Sequence, residues 1–105
     1  MKIAEFVEGL KSIGLPIAYD HFSEGSVPAL PYIVYLLPNS SNFSADGIAF
    51  HRISEVDIEL YCEDKNFSVE EKVEKWLTDN NFYFDKTEEF IKTEKMYLIK
   101  YETSI

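Results

Sequence analysis

The chain has 105 residues, 46% of them hydrophobic and 15% aromatic, which is enough for one domain with one core and excludes a disordered polymer. Nineteen acids against ten bases give a net charge of −9, which argues against a basic face for gripping nucleic acid and against attraction to an anionic membrane. One cysteine, Cys62, excludes an internal disulfide and a multi-cysteine metal site.

Ile3, Phe6, Val7 and Leu10 fall on one stripe of a short amphipathic helix over about residues 2–12. Gly14 stands where a left-handed cap is expected, and Pro16 forbids continuation. Acids inside this first apolar run are foreign to a signal peptide. No run approaches the ~20 apolar residues of a membrane span, so the chain is expected to be intracellular or released by lysis. Leu15 to Phe22 reads as a first strand. Ser23 to Pro31, punctuated by Gly25, Pro28 and Pro31, reads as a loop. Tyr32 to Leu37 is almost continuously apolar, as in a central strand buried on both faces.

Asn39 to Ala49 carries one charge, Asp46, in eleven residues. Its Asn, Ser and Gly content predicts a mobile excursion between strands. Phe43, Ile48 and Phe50 lie in it or at its end. They either order against a partner or tuck back onto the domain.

Arg52 to Cys62 is the sharpest signal. Val56, Ile58, Leu60 and Cys62 alternate with Glu55, Asp57, Glu59 and Tyr61. A period of two puts one apolar face inward and one acidic face outward. Ser68 to Glu71 has the form of a capping box, S-x-x-E. Val69, Val73, Trp76 and Leu77 then form the stripe of a second helix. Phe82 to Phe84 begins a fourth strand and Met96 to Thr103 forms the last, with Tyr97, Ile99 and Tyr101 on one face and Leu98 and Lys100 on the other. The fold class is α+β: two helices on a mostly antiparallel sheet, in the order α-β-β-β-α-β-β, as a single small domain over 1–105.

The chemistry available is thin. His21 and His51 are the two histidines, and neither has a motif neighbour. The four glycines are isolated, so there is no phosphate-cradling loop. Asp57 and Glu59 suit acid–base work or a hard cation, but acids on an outward strand face commonly serve solvation. Cys62 reads as a small core residue. Between Glu55 and Lys75, eight acids meet three lysines, a net −5. This is either a solubilising surface or a wall that repels phosphate or meets a basic partner.

The strand Ile53–Cys62, the following helix with Trp76-Leu77, and the closing E-K-M-Y-L-I-K-Y-E (Glu94–Glu102) resemble the small tail-terminator or tail-completion proteins of siphophages and prophages. The opening helix, L-P-x-A-Y and the Pro-flanked strand Pro31–Pro38 fit the same pattern. The resemblance implies a non-enzymatic virion component of the tail or neck, made in the bacterial cytoplasm. It implies a hexameric homo-oligomeric ring on the tail tube that joins tube protein to head connector, with no cofactor, no specific nucleic-acid binding and no membrane. The residues themselves suggest an interface at Phe43, Asp46, Ile48, Phe50, Glu55, Asp57 and Glu59. A second class is an acidic protein-binding module, such as a DNA mimic or an inhibitor of a basic partner. A third is an enzyme using Cys62 or the histidines.

Overall fold

A computed structural model describes residues 1–45 and 48–105, with the side chains of residues 40–53 outside the described part. The elements are α1 (Ile3–Lys11), β1 (Ile17–Tyr19), β2 (Tyr32–Leu36), β3 (Ser40–Ala45), β4 (Ile48–Cys62), α2 (Phe67–Asp79), β5 (Phe84–Ile91) and β6 (Met96–Ser104). The α+β class and the order α-β-β-β-α-β-β hold, with β3 as one further strand. The sheet runs β1-β2-β4-β6-β5, antiparallel throughout except for β1 beside β2, and β3 pairs with β4.

The alternation of β4 decides the layering. Val56, Ile58, Leu60 and Cys62 are buried against Phe6 and Leu10 of α1 and Val73 and Leu77 of α2. Their register partners Ile33 on β2 and Ile99 and Tyr101 on β6 face the same way. Both helices therefore cover one face of the sheet and leave the other to the remaining chain.

Several boundaries differ from the expectation. Residues 39–49 were expected to make a mobile excursion. Instead Ser40–Ala45 pairs antiparallel with β4, from Ser40 opposite Ser54 to Ala45 opposite Ile48, with an irregularity after Phe43. Strand pairing satisfies the backbone of a Ser- and Asn-rich segment whose composition alone favours turns. In consequence β4 begins at Ile48, not Arg52, and Phe43, Ile48 and Phe50 are strand residues by backbone. Asp46 lies outside the described residues. The expected capping box is not used either. Asn66 caps α2, its side-chain oxygen accepting from the Val69 N–H at 3.2 Å. Asparagine caps at least as well as serine, and the earlier start adds half a turn. The first strand contracts to Ile17–Tyr19, and the fourth begins at Phe84.

The two helices meet at one point. Trp76 stacks on Phe82, and Phe6 stands nearly perpendicular to both rings, at centroid distances of 5.1 Å to Trp76 and 5.2 Å to Phe82. Gly9 is where α1 makes room for the indole. A Cβ there would stand 2.0 Å from Cζ2 of Trp76, far inside van der Waals contact. At Gly14, φ is +95°, the left-handed conformation that ends helices and suits glycine.

Gly9→Ala should therefore destabilise by about 1–3 kcal/mol, the usual cost of overpacking, although the same change in an open helix gains about 0.5–1 kcal/mol. Urea unfolding followed by Trp76 fluorescence tests this. In a Trp76→Leu background the penalty should shrink or change sign, since the two sites share one contact.

Candidate functional site

The face of the sheet opposite the helices carries the residues that could meet a partner. Register fixes its rows. Asp57 stands between Leu36 on β2 and Glu102 on β6, and Glu102 is opposite Asp85 on β5. The next row runs Val34, Glu59, Lys100, Thr87, and the next Tyr32, Tyr61, Leu98, Glu89. One end of the face is thus acidic and the other apolar and aromatic.

At the acidic end Glu55, Asp57, Asp85 and Glu102 line a hollow of about 430 Å³ together with Tyr83 and Asn81. Lys100 Nζ lies 3.4 Å from Asp57 Oδ2, with Asp57 only 16% exposed. The expected outward set Glu55, Asp57 and Glu59 is therefore brought together on one face, but half-buried rather than fully wet. Glu59 accepts a hydrogen bond from the Tyr61 hydroxyl at 3.0 Å. Burial first, and then that carboxylate, push the Tyr61 phenol well above its ordinary range, so it stays a proton donor.

The aromatic end owes its shape to topology. Parallel neighbours need a crossover of about a dozen residues, and residues 20–31 supply it between β1 and β2. The helices occupy one face, so this segment crosses the other. Asp20, at φ 65°, turns the chain out of β1; aspartate tolerates that left-handed conformation better than most residues. Phe22 then lands edge-on against Tyr32, 5.0 Å between centroids, and Val34 is reduced to 4% exposure although it faces away from the core. Between crossover, sheet and the β5–β6 turn lies a hollow of about 370 Å³. Tyr32 and Tyr61, 5.3 Å apart, form one wall. Ile91 and Met96 form another, and Asp20, His21 and Glu94 stand among its lining residues. His21 Nδ1 is 2.8 Å from Asp20 Oδ2.

The acids between Glu55 and Lys75, expected to form either a solubilising surface or a wall, are divided by the sheet. Glu70 and Glu74 lie on the helix side, where they are neutralised. Glu70 is 2% exposed and receives Lys65 and Lys86, with Nζ–O distances of 2.8 Å each. Lys65 also reaches Glu88, and Lys86 reaches Glu74 at 2.9 Å. The Tyr101 hydroxyl donates to Glu74 at 2.8 Å. Burial alone would raise the Glu70 carboxyl; hydrogen bonds and charge from the two lysines outweigh it and hold it below the usual range. Burial would lower both ammonium groups, but their carboxylate partners raise them.

Cys62 points into the core, whereas His21 lines the opposite face, so those two side chains do not meet. Burial, with the Glu70 charge added, raises the Cys62 thiol, away from the nucleophilic thiolate. The side chain of His51 lies outside the described part. Among the described residues no group of three or more His, Cys, Asp or Glu is placed to hold a metal ion, and no helix is long and apolar enough to cross a membrane. Comparison of the chain with protein-family models and with curated proteins finds no match.

Sequence reasoning reached Glu55, Asp57 and Glu59 but not Asp85, Glu102 or the aromatic hollow. Glu102 was within reach: it alternates with the buried Tyr101 and Thr103 on β6. The hollow was not, because it depends on β1 lying parallel to β2.

Glu70→Gln should cost about 2–3 kcal/mol at neutral pH, below the 3–5 kcal/mol of a fully buried pair, since both lysines keep a second carboxylate. A lowered folded pKa stabilises above the unfolded value of about 4.3 and is lost as pH falls through the folded value. The gap between the two proteins should therefore close on acidification below pH ~4. Thermal melts across that range check it.

Proposed function

We propose that the chain is a structural assembly protein of a phage tail or neck, a tail terminator that closes the tube by forming a ring of its own copies. The observation that supports this most is the arm made by β3 and the first half of β4. The sheet proper grips β4 only from Glu55 onward, through β6, and from Asp57 onward, through β2. From Ile48 to Ser54 its strand partner is β3, joined at the base by Ser54 and Ile105 exchanging backbone hydrogen bonds at 2.8 and 3.1 Å. At about 3.3 Å per residue, the 15 residues of β4 span nearly the full 51 Å of the molecule's longest dimension.

A lone two-stranded ribbon is marginal in water. It gains stability when a second surface covers it, which is what a neighbour in a closed ring supplies. Of the residues proposed for the interface, Phe43, Ile48 and Phe50 belong to this arm by backbone. The acidic rows around Glu55, Asp57 and Glu59 suit the proposal in a different way. A ring that lets DNA pass gains from a surface that does not hold phosphate.

The second reading, an acidic module for a basic partner, is favoured by one observation: the paired acids of the open face, where Glu55, Asp57, Asp85 and Glu102 converge and Lys100 supplies the cation. In that reading the open face, and not the arm, is the contact.

Light scattering over a concentration series at two salt concentrations separates the two. A ring-forming subunit should grow toward a single closed species as concentration rises or as salt screens the −9 charge. Replacing Phe43 and Phe50 together by serine should impair that growth more than it lowers the melting temperature. An unchanged oligomer with a lower melting temperature would defeat the arm as the contact. A chain that stays monomeric alone and on added tail tubes would defeat the ring.

A further inference from the structure

We infer that the hollow under the β1–β2 crossover is a socket for an arginine side chain presented by a basic segment of a partner protein. The inference stands apart from ring formation and would hold for either functional reading.

Three features of the hollow select that occupant. Its walls are aromatic: Tyr32 and Tyr61 lie 5.3 Å apart with planes tilted by 37°, and Phe22 stands edge-on against Tyr32. A planar, weakly hydrated guanidinium stacks on such faces better than an ammonium does. Ile91 and Met96 offer an apolar bed for the three methylenes of the stem. The charged lining groups with a fixed sign, Asp20 and Glu94, are both acidic, and carboxylates accept guanidinium N–H bonds two at a time. Asp20 already holds His21 through one oxygen; among the described residues no cation pairs with Glu94. At about 370 Å³ the space is at the small end of ligand pockets, fitting one side chain rather than a cofactor.

Charge complementarity argues for a protein segment over a free small cation. The socket opens onto the same face as Glu59, Asp57, Glu102 and Asp85. A strand of basic residues leaving the socket would lie along those rows, and the chain's overall charge of −9 would steer it there.

The probe is the peptide acetyl-Gly-Leu-Arg-Leu-Gly-amide, with citrulline in place of arginine as its uncharged isostere. Binding is read from the ring resonances of Tyr32 and Tyr61 and the methyl of Met96, at pH 8 and physiological salt. Asp20→Asn combined with Glu94→Gln removes the rim charge, and asparagine keeps the left-handed turn at residue 20. Asp85→Asn combined with Glu102→Gln removes equal charge at the far end of the face. Saturable shifts at the three reporters are expected, with binding at least tenfold weaker for the citrulline peptide and about tenfold weaker for the rim variant, a loss of about 1.4 kcal/mol. The far-end variant should stay within about twofold, since its row lies four residues along β4 from Tyr61, about 13 Å and beyond the Debye length of about 8 Å at this salt. Equal loss in both variants would mean a general pull of the acidic surface and would overturn the socket. So would equal binding of the citrulline peptide, or the absence of saturable shifts. Reporter shifts that follow protein concentration without peptide would give the hollow to a second copy of the chain, and would overturn it too.

Discussion

The constraint from which the rest follows is that β4 carries two incompatible faces on one backbone. Val56, Ile58, Leu60 and Cys62 must leave water, while Glu55, Asp57 and Glu59 must not be shut away unpaired. Alternation makes this possible in a sheet covered on one side, here by the two helices. Both helices then compete for the same apolar face, and they fit because Gly9 lets the backbone of α1 approach Trp76. With that side filled, the crossover demanded by the parallel pair β1–β2 has only the acidic side to use. The aromatic hollow is thus a by-product of where the helices had to go.

The helix side has its own electrostatic problem. Burying Glu70 removes a carboxylate from water, and two lysines from different elements, Lys65 before α2 and Lys86 on β5, restore what hydration supplied. Such a cluster contributes little net stability compared with an apolar replacement. It ties α2 to β5 at one place, through Lys86, which reaches both Glu70 and Glu74. The free edge of β5 is also guarded by this arrangement, since Lys86, Glu88 and Glu89 place charge along a strand whose outer backbone would otherwise invite another chain.

Much of this was legible in the residues. The period of two in β4, the stripes of both helices and Gly14 after α1 are signals in which local pattern and tertiary burial agree. The failures have distinct causes. Glu70 sits three and seven residues before Val73 and Leu77, on the buried stripe, yet an acid in a first helical turn is readily explained by the helix dipole. Ser and Asn dominate the segment before β4 and favour turns, which conceals the strand Ser40–Ala45. The aromatic hollow had no local signal, because it joins residues brought near only by strand order.

The long strand also has a mechanical meaning. Hydrogen bonds of an antiparallel ladder lie perpendicular to its strands. A tug on the arm along the direction of β4 is met by the ladders to β2, at Asp57–Tyr61, and to β6, at Glu55–Cys62. Those bonds are loaded together, in shear, and must yield together. The same tug across the strands would open them one at a time. A subunit linked to its neighbours through the arm would resist axial tension far better than peeling, so the direction of force at such a joint would matter as much as its size.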